Sequence, residues 1–290
     1  MKWNKISLTI IFILWIPLFS SASANFSLLL DEGDSLFSKQ KYQEAIIAFE
    51  RVIFNGCNTE TFAEVLIRKS ACYKQMGAYE KALHELFRIN FNDFDSPVKN
   101  KFLYELSLCF YLNNNIESSL AYFQQVSDNK NDKLKMDISF LGMLLMNDLY
   151  NWNIAKGYAR DYIQLKETDP VVADSLISII NNMYNSKNIP KLKKGKTART
   201  LSFIIPGLGQ TYAGYPFDGL LNFALCVGTM YVGGMFFQCG MYFTGIVGGV
   251  GLFIKFYYGG LERTTYLVNE RNSINADQFN NVIEDFMFNL

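Results

Sequence analysis

Hydrophobic and polar positions change rhythm twice along this chain. From about residue 26 to 185 apolar residues recur at helical spacing. From 219 to 258 they run almost unbroken, and beyond 261 they thin out to a helical stripe again. The pattern predicts an all-α chain of soluble helices followed by lipid-buried ones. Within the first regime three stretches align without gaps: Lys41-Tyr42-Gln43-Glu44-Ala45-Ile46 with Phe49, Ala78-Tyr79-Glu80-Lys81-Ala82-Leu83 with Leu86, and Asn115-Ile116-Glu117-Ser118-Ser119-Leu120 with Phe123. Ala45, Ala82 and Ser119 stand 37 positions apart, and Trp152, Ala155 and Ala159 form a weaker fourth copy 36 positions on. A fixed period of this size predicts stacked helical hairpins. The small residue lets two helices approach, and the large one four positions later fills the adjoining gap. Leu29, Leu66 and Leu103 match in the first helix of each unit, as do Leu36, Tyr73 and Phe110, with Gly33, Ser70 and Ser107 between them.

Gly77-Ala78-Tyr79-Glu80-Lys81-Ala82, with its glycine, aromatic and alanine in order, resembles the tetratricopeptide repeat family over about residues 27–165. The resemblance implies a helical-repeat solenoid with a concave surface for a protein or peptide, lined by the first helix of each unit. The residues it places there are Asp34, Phe37, Ile67, Lys74, Tyr104, Leu108 and Tyr111. The alternative is that these residues pack on neighbouring units or on the chain's own tail. Units are expected near 27–57, 64–97, 101–130 and 136–168. A helix at 170–185, opened by Asp169-Pro170 and carrying Val172, Leu176, Ile179, Ile180 and Met183 on one side, closes a domain of residues 25–185.

Ahead of that domain, residues 1–24 read as an export signal: Lys2 and Lys5, an apolar stretch at 6–19, and Ala22-Ser23-Ala24 as the cleavage site. An uncleaved anchor is the alternative. Either way the repeat domain is expected outside the cytoplasm, in the periplasm of a bacterium.

The second regime holds two near-chargeless runs, 219–237 and 240–258, of 19 residues each. As helices each would be about 29 Å long, matching a hydrocarbon core of about 30 Å. A turn at Gln238-Cys239 makes them a transmembrane hairpin, with Gly245 and Gly249 as a helix-packing pair. Before it, residues 201–216 are broken by Pro206 and glycines and read as an interfacial segment. Its Pro206-Gly207-Leu208-Gly209-Gln210-Thr211-Tyr212-Ala213-Gly214 stretch, followed by Asp218-Gly219, resembles a small two-helix domain of bacterial envelope proteins over about residues 197–268. That resemblance implies membrane residence and no particular reaction. Lys191, Lys193, Lys194, Lys196 and Arg199 lie in a basic linker, 186–200, suited to anionic headgroups. Positive charge beside a span normally marks the cytoplasmic side, against the export signal, so a cytoplasmic repeat domain is the rival topology. The tail, 261–290, carries Phe279, Val282, Ile283 and Phe286 as an amphipathic helix at 275–288, able to dock on the repeats or lie on the bilayer.

Composition narrows the chemistry. Lys and Arg number 27, Asp and Glu 27, so no basic surplus favours nucleic acid. A single histidine, His84, excludes multi-histidine metal sites, and five cysteines without a C-x-x-C pair fit neither zinc spacing nor a redox motif. Gly207-x-Gly209 lacks a third glycine, with Tyr212 in its place, and Gly195-Lys196-Thr197 follows Pro190 where a phosphate loop needs glycine. No catalytic residue, metal or cofactor is assigned. The expected function is a membrane-tethered scaffold binding a protein or peptide. The alternative is a transport or lipid-handling component whose glycine-rich hairpins oligomerise.

Overall fold

The computed structural model describes residues 26–126 and 132–290, so the expected export signal at 1–24 lies outside the described residues. Every regular element among them is helical. The chain divides into two compact units, residues 1–135 and 136–290.

The first unit contains α1 (Phe26–Ser38), α2 (Tyr42–Phe54), α3 (Thr59–Gln75), α4 (Tyr79–Leu86), α5 (Ser96–Leu112) and α6 (Ile116–Phe123), with a 3-10 turn at Phe91–Asp93. Each helix packs on the next in sequence. Ala45, Ala82 and Ser119 are fully buried, as are Leu66, Leu86, Phe102, Leu103, Cys72 and Cys109. Asn58 and Asn115 cap α3 and α6, accepting from the backbone N–H of Thr61 at 2.8 Å and Ser118 at 3.0 Å.

One turn recurs. Gln40, Gly77 and Asn114 have φ of 61°, 69° and 57°. The next backbone N–H in each case reaches back to the carbonyls of Leu36, Tyr73 and Phe110, all at 2.9 Å. This is a left-handed helix end that satisfies an orphan carbonyl and reverses the chain. Tyr150 (φ 59°), Gly214 (φ 101°) and Gly240 (φ 75°) build the same reversal in the second unit.

The second unit begins within α7 (Asp132–Asp148) and continues through α8 (Trp152–Lys166), α9 (Pro170–Met183), α10 (Gly195–Ile204), α11 (Leu208–Ala213) and α12 (Pro216–Gln238). The short α13 (Tyr242–Thr244), a π-helical stretch at Gly245–Gly251 and α14 (Leu252–Phe288) complete it. Asp169 caps α9 from its side chain, accepting from Val171 N–H at 2.9 Å. The buried stripe of α9 is Ala173, Ile177, Ile180 and then Tyr184, one step away from the expected one, which leaves Val172 and Ile179 in solvent. The Tyr184 hydroxyl, donating to Asn147 Oδ1 at 2.9 Å, holds the helix in that rotation.

Three further expectations are corrected. The segment read as linker and interfacial stretch, 186–216, folds into α10 and α11, broken where Gly207 adopts φ 91°. The run at 240–258 does not end at 258. It is divided among α13, the π-helical stretch and the first turns of α14, which continues into charged sequence through Gly259-Gly260. Gly260 is no stop: it is a contact point, where a Cβ would overlap the Asn222 side chain. The tail helix at 275–288 is therefore the far end of α14, a rod of about 55 Å. Among the described residues α12 alone is long and apolar enough to cross a membrane.

Candidate functional site

Two places in the molecule concentrate polar chemistry. In the first unit, Lys69 on α3 is buried, with its ammonium held by Glu50 from α2 and Glu85 from α4, the latter at 2.8 Å. Arg88 adds a 2.8 Å bond to Glu85. A groove of about 480 Å³ opens beside them, lined also by Ile46, Ile47, Tyr73 and His84. Partial burial pushes the Glu50 carboxyl up, but the bonds and charges of Lys69 and Arg88 outweigh it and hold the group below its ordinary range.

The residues expected to line a partner groove divide into three sets. Asp34 pairs with Arg68 across α1 and α3, and Lys74 pairs with Glu105 across α3 and α5. Those two tie successive first helices together. Phe37, Tyr104, Leu108 and Tyr111 are half-buried, with Phe37 edge-on to Tyr42 at 5.4 Å. Ile67 departs from expectation: it is 7% exposed, inside the cluster formed by Leu66, Leu83, Leu86 and Phe102. Helical phase explains this, since Ile67 sits four positions from Ala63, also buried in that cluster.

Cys72 and Cys109 are held protonated, their thiols pushed up to about 11 by burial. Cys109 Sγ lies 3.5 Å from Ser70 Oγ. Such thiols are poor nucleophiles.

In the second unit the glycine motif forms a junction of α10, α11, α12 and α14. A Cβ on Gly207 would overlap the Gly219 carbonyl, one on Gly219 would overlap Gly207 O, and one on Gly209 would overlap Ala198 O. Backbone therefore touches backbone. Ser202 Oγ accepts from Gly209 N–H at 3.0 Å and shares a 2.9 Å bond with Thr264 Oγ1. Gln210, 1% exposed, donates from Nε2 to Gly260 O at 3.2 Å. Asp218 pairs with Arg263 at 3.2 Å, and Pro206 fills the break before α11.

Farther along the apolar helices, a Cβ on Gly233 would lie 2.7 Å from Gly249 Cα, and Gly245 meets the Phe237 ring. The buried residues of α12 are Gly219, Cys226 and Gly233, seven apart and all small. Its other faces carry exposed Phe217, Leu220, Leu221, Val227, Met230 and Tyr231.

The basic segment is folded against the junction. Asn272 clasps the Lys193 backbone, accepting from N–H at 2.8 Å and donating to its carbonyl at 2.9 Å. Lys193 Nζ donates to Tyr212 O at 2.7 Å and lies 4.9 Å from the Tyr212 ring centre. Arg199 meets Glu262 at 3.6 Å, while Lys191, Lys194 and Lys196 are exposed.

At the far end α14 docks on α7, α8 and α9. Trp152 Nε1 donates to Asn280 Oδ1 at 3.0 Å, and the Phe279 ring stands edge-on to Trp152 and Tyr184. Ala276, Ile283 and Met287 are buried alongside. The Trp152–Asn280 bond joins residues 128 apart, beyond the reach of periodicity.

Compared with known proteins, the chain matches no family model, no curated protein and no solved structure.

Proposed function

We propose that this chain is a membrane-tethered scaffold of the bacterial envelope. Tetratricopeptide-like repeats present a surface to a protein or peptide, and a glycine-packed helical hairpin formed by 219–237 and 240–258 fixes them to the bilayer. The observation that carries this reading is α12. It buries only a narrow stripe of small residues and turns large apolar side chains outward on its remaining faces. In water that surface would drive aggregation; in lipid it is the ordinary solvent-facing state. The hairpin's second limb completes the crossing from the π-helical stretch and the start of α14.

On the repeats, Asp34 and Lys74 serve as cross-ties, which leaves Phe37, Tyr104, Leu108 and Tyr111 as the recognition surface. It is aromatic and suited to an apolar peptide. The repeat domain faces the periplasm, following the export signal. Tyr104→Ser together with Tyr111→Ser tests recognition: co-purified partners should be lost while the protein stays in the membrane fraction, and an unchanged partner set would refute groove binding. Labelling a cysteine engineered within 86–95 tests the side. Reaction without opening the inner membrane is expected, and reaction only after opening it would place the repeats in the cytoplasm.

A second reading, an oligomeric conduit for lipid or small molecules, draws on Gly228, Gly234 and Gly248, where an added Cβ would meet nothing within 4 Å. Their flat outer faces leave room for another copy. Native sizing in mild detergent separates the readings: a ring of identical copies favours the conduit, and a mixed complex favours the scaffold.

A further inference from the structure

The second unit carries its own waterline. α10 runs antiparallel to α14, with Lys193 against Asn272, Ser202 against Thr264, and Phe203 against Tyr257, whose hydroxyl donates to Phe203 O at 2.8 Å. Height along α14 therefore orders the residues of α10. The upper half of that order is cationic. Four residues past Arg199, about 6 Å as helical rise, Phe203, Ile204 and Ile205 turn outward, 67%, 68% and 46% exposed. The exposed Leu208, Phe217, Leu220 and Leu221 continue the apolar surface onto α12.

Two ion pairs mark where charge gives way. Arg199–Glu262 joins α10 to α14, and Arg263–Asp218 joins α14 to α12. Glu262 and Arg263 are adjacent, so charges from three helices meet at one level. Beyond it, residues 219–258 hold a single formal charge, Lys255. From Asp218 to Gln238 the rise is about 30 Å, the thickness of a hydrocarbon core. The ion-pair level is thus the edge of that core.

Above the edge, Lys196 and Lys194 precede Arg199 by three and five residues, or about 4.5 and 7.5 Å of rise. A headgroup layer is about 5–7 Å deep, and the screening length in physiological salt is about 8 Å. Both ammonium groups fall inside that zone. Lys193 is engaged differently. Clasped by Asn272 and seated on Tyr212, it fixes the segment in place. Lys191, Lys194 and Lys196 make no ion pair among the described residues.

We infer that residues 191–199 form a strap that docks the anionic phospholipid headgroups of the adjoining leaflet, with Lys194, Lys196 and Arg199 as its contacts and Lys193 as its pin. This inference rests on the membrane reading of α12.

The full chain is reconstituted in nanodiscs of phosphatidylcholine alone and of phosphatidylcholine with phosphatidylglycerol, and the lipids retained after mild detergent release are weighed by native mass spectrometry. Wild type should retain phosphatidylglycerol above its share of the disc. Each cation removed should reduce that preference up to about fivefold, so Lys194→Gln, Lys196→Gln and Arg199→Gln together should abolish it. Incorporation of the triple variant into phosphatidylcholine discs checks its fold. Equal phosphatidylglycerol preference in wild type and triple variant overturns the strap and leaves the membrane reading standing. So does retention of added polyglutamate in preference to phosphatidylglycerol, which assigns the cations to an acidic protein. A chain that stays soluble without detergent or disc overturns the membrane reading itself.

Discussion

The first unit and the apolar end of the second bring helices together by different means. In the first unit the contact residues are Ala45, Ala82, Ser119, Ser70 and Cys109, small but still with side chains, and the helices are tied across by Lys69–Glu50, Lys69–Glu85 and Lys74–Glu105. Around α12 the contacts are glycine on glycine, with hydroxyl groups bonded to backbone. On the membrane function proposed above, the difference follows from the solvent each region meets. In water, removal of apolar area drives helices together, and a methyl-sized gap is tolerable. Lipid supplies no such drive, so association depends on close backbone contact and internally satisfied polar groups.

The sharpest way to break this contrast is to place the same methyl group at both ends. Gly77 and Gly207 both have positive φ, but Gly77 has open space and Gly207 faces the Gly219 carbonyl. Gly77→Ala should cost about 1–2 kcal/mol, the strain of a left-handed non-glycine residue. Gly207→Ala adds a backbone collision and should cost more than about 4 kcal/mol, seen as loss of a monodisperse peak in detergent. Gly228→Ala, with no neighbour, is the control and should leave the thermal midpoint unchanged. If Gly207→Ala behaved like Gly77→Ala, the junction would not be packed backbone to backbone.

Next in size is the buried ammonium. Lys69→Met leaves Glu85, whose side chain is 12% exposed, beside Glu50 with Arg88 as its remaining cation. Breaking a buried pair from one side costs about 3–5 kcal/mol. Arg88 compensates in part, so about 3 kcal/mol is expected here by chemical denaturation. Adding Glu85→Gln to Lys69→Met should restore part of it. A fully tolerated Lys69→Met would show that the ties are incidental to the unit.

Titration divides the two units by sign. Glu50 is held below its ordinary range, so its contribution is complete above the unfolded value near 4.5 and is lost as acid reprotonates it. Glu284, on α14 where it docks, is the reverse. Burial first, then Asp148 on α7 and Asp285 and Asp277 on α14, push it up to about 7. The folded state then holds its proton between about 4.5 and 7 while the unfolded state does not, so stability falls as pH rises through that window and levels off above it. After solvent screening the loss is on the order of 1–2 kcal/mol. Thermal midpoints at pH 5 and pH 8 should differ, and Glu284→Gln should remove the difference by raising the pH 8 value. A slope that survives Glu284→Gln would assign it elsewhere.

Legibility followed the range over which each feature is encoded. The 37-residue spacing of Ala45, Ala82 and Ser119 and the apolar character of α12 are local patterns, and the buried positions agree with them. Features set by a distant partner were not readable. Lys69 looks like a surface lysine because its two carboxylates come from helices on either side, 19 and 16 residues away. Ile67 lies on the buried side for the same reason: α4 and α5 cover it. Gly259-Gly260 resembles a helix end, yet Asn222 needs the space there and the helix continues. The recurrent turn carries a glycine at Gly77, Gly214 and Gly240 but not at Gln40, Asn114 and Tyr150, which adopt the same backbone without being glycine.

The smallest expected effect returns to those copies. Ser119 occupies the place of Ala45 and Ala82 and differs from them by a hydroxyl that donates to Ser107 O at 2.7 Å. Ser107 Oγ in turn donates to Ser119 O at 3.0 Å, which uses backbone and so survives substitution. Ser119→Ala removes one buried bond, worth about 1 kcal/mol, but Ser107 O remains within the α5 ladder and no new space is filled. The net cost should stay below about 1 kcal/mol by chemical denaturation. Ser119→Val tests the other side of the same idea. Two methyl groups in place of one hydroxyl, at a 0% exposed position of α6 against α5, should cost about 1–3 kcal/mol. If valine were tolerated as well as alanine, small size would not be what the 37-residue spacing encodes.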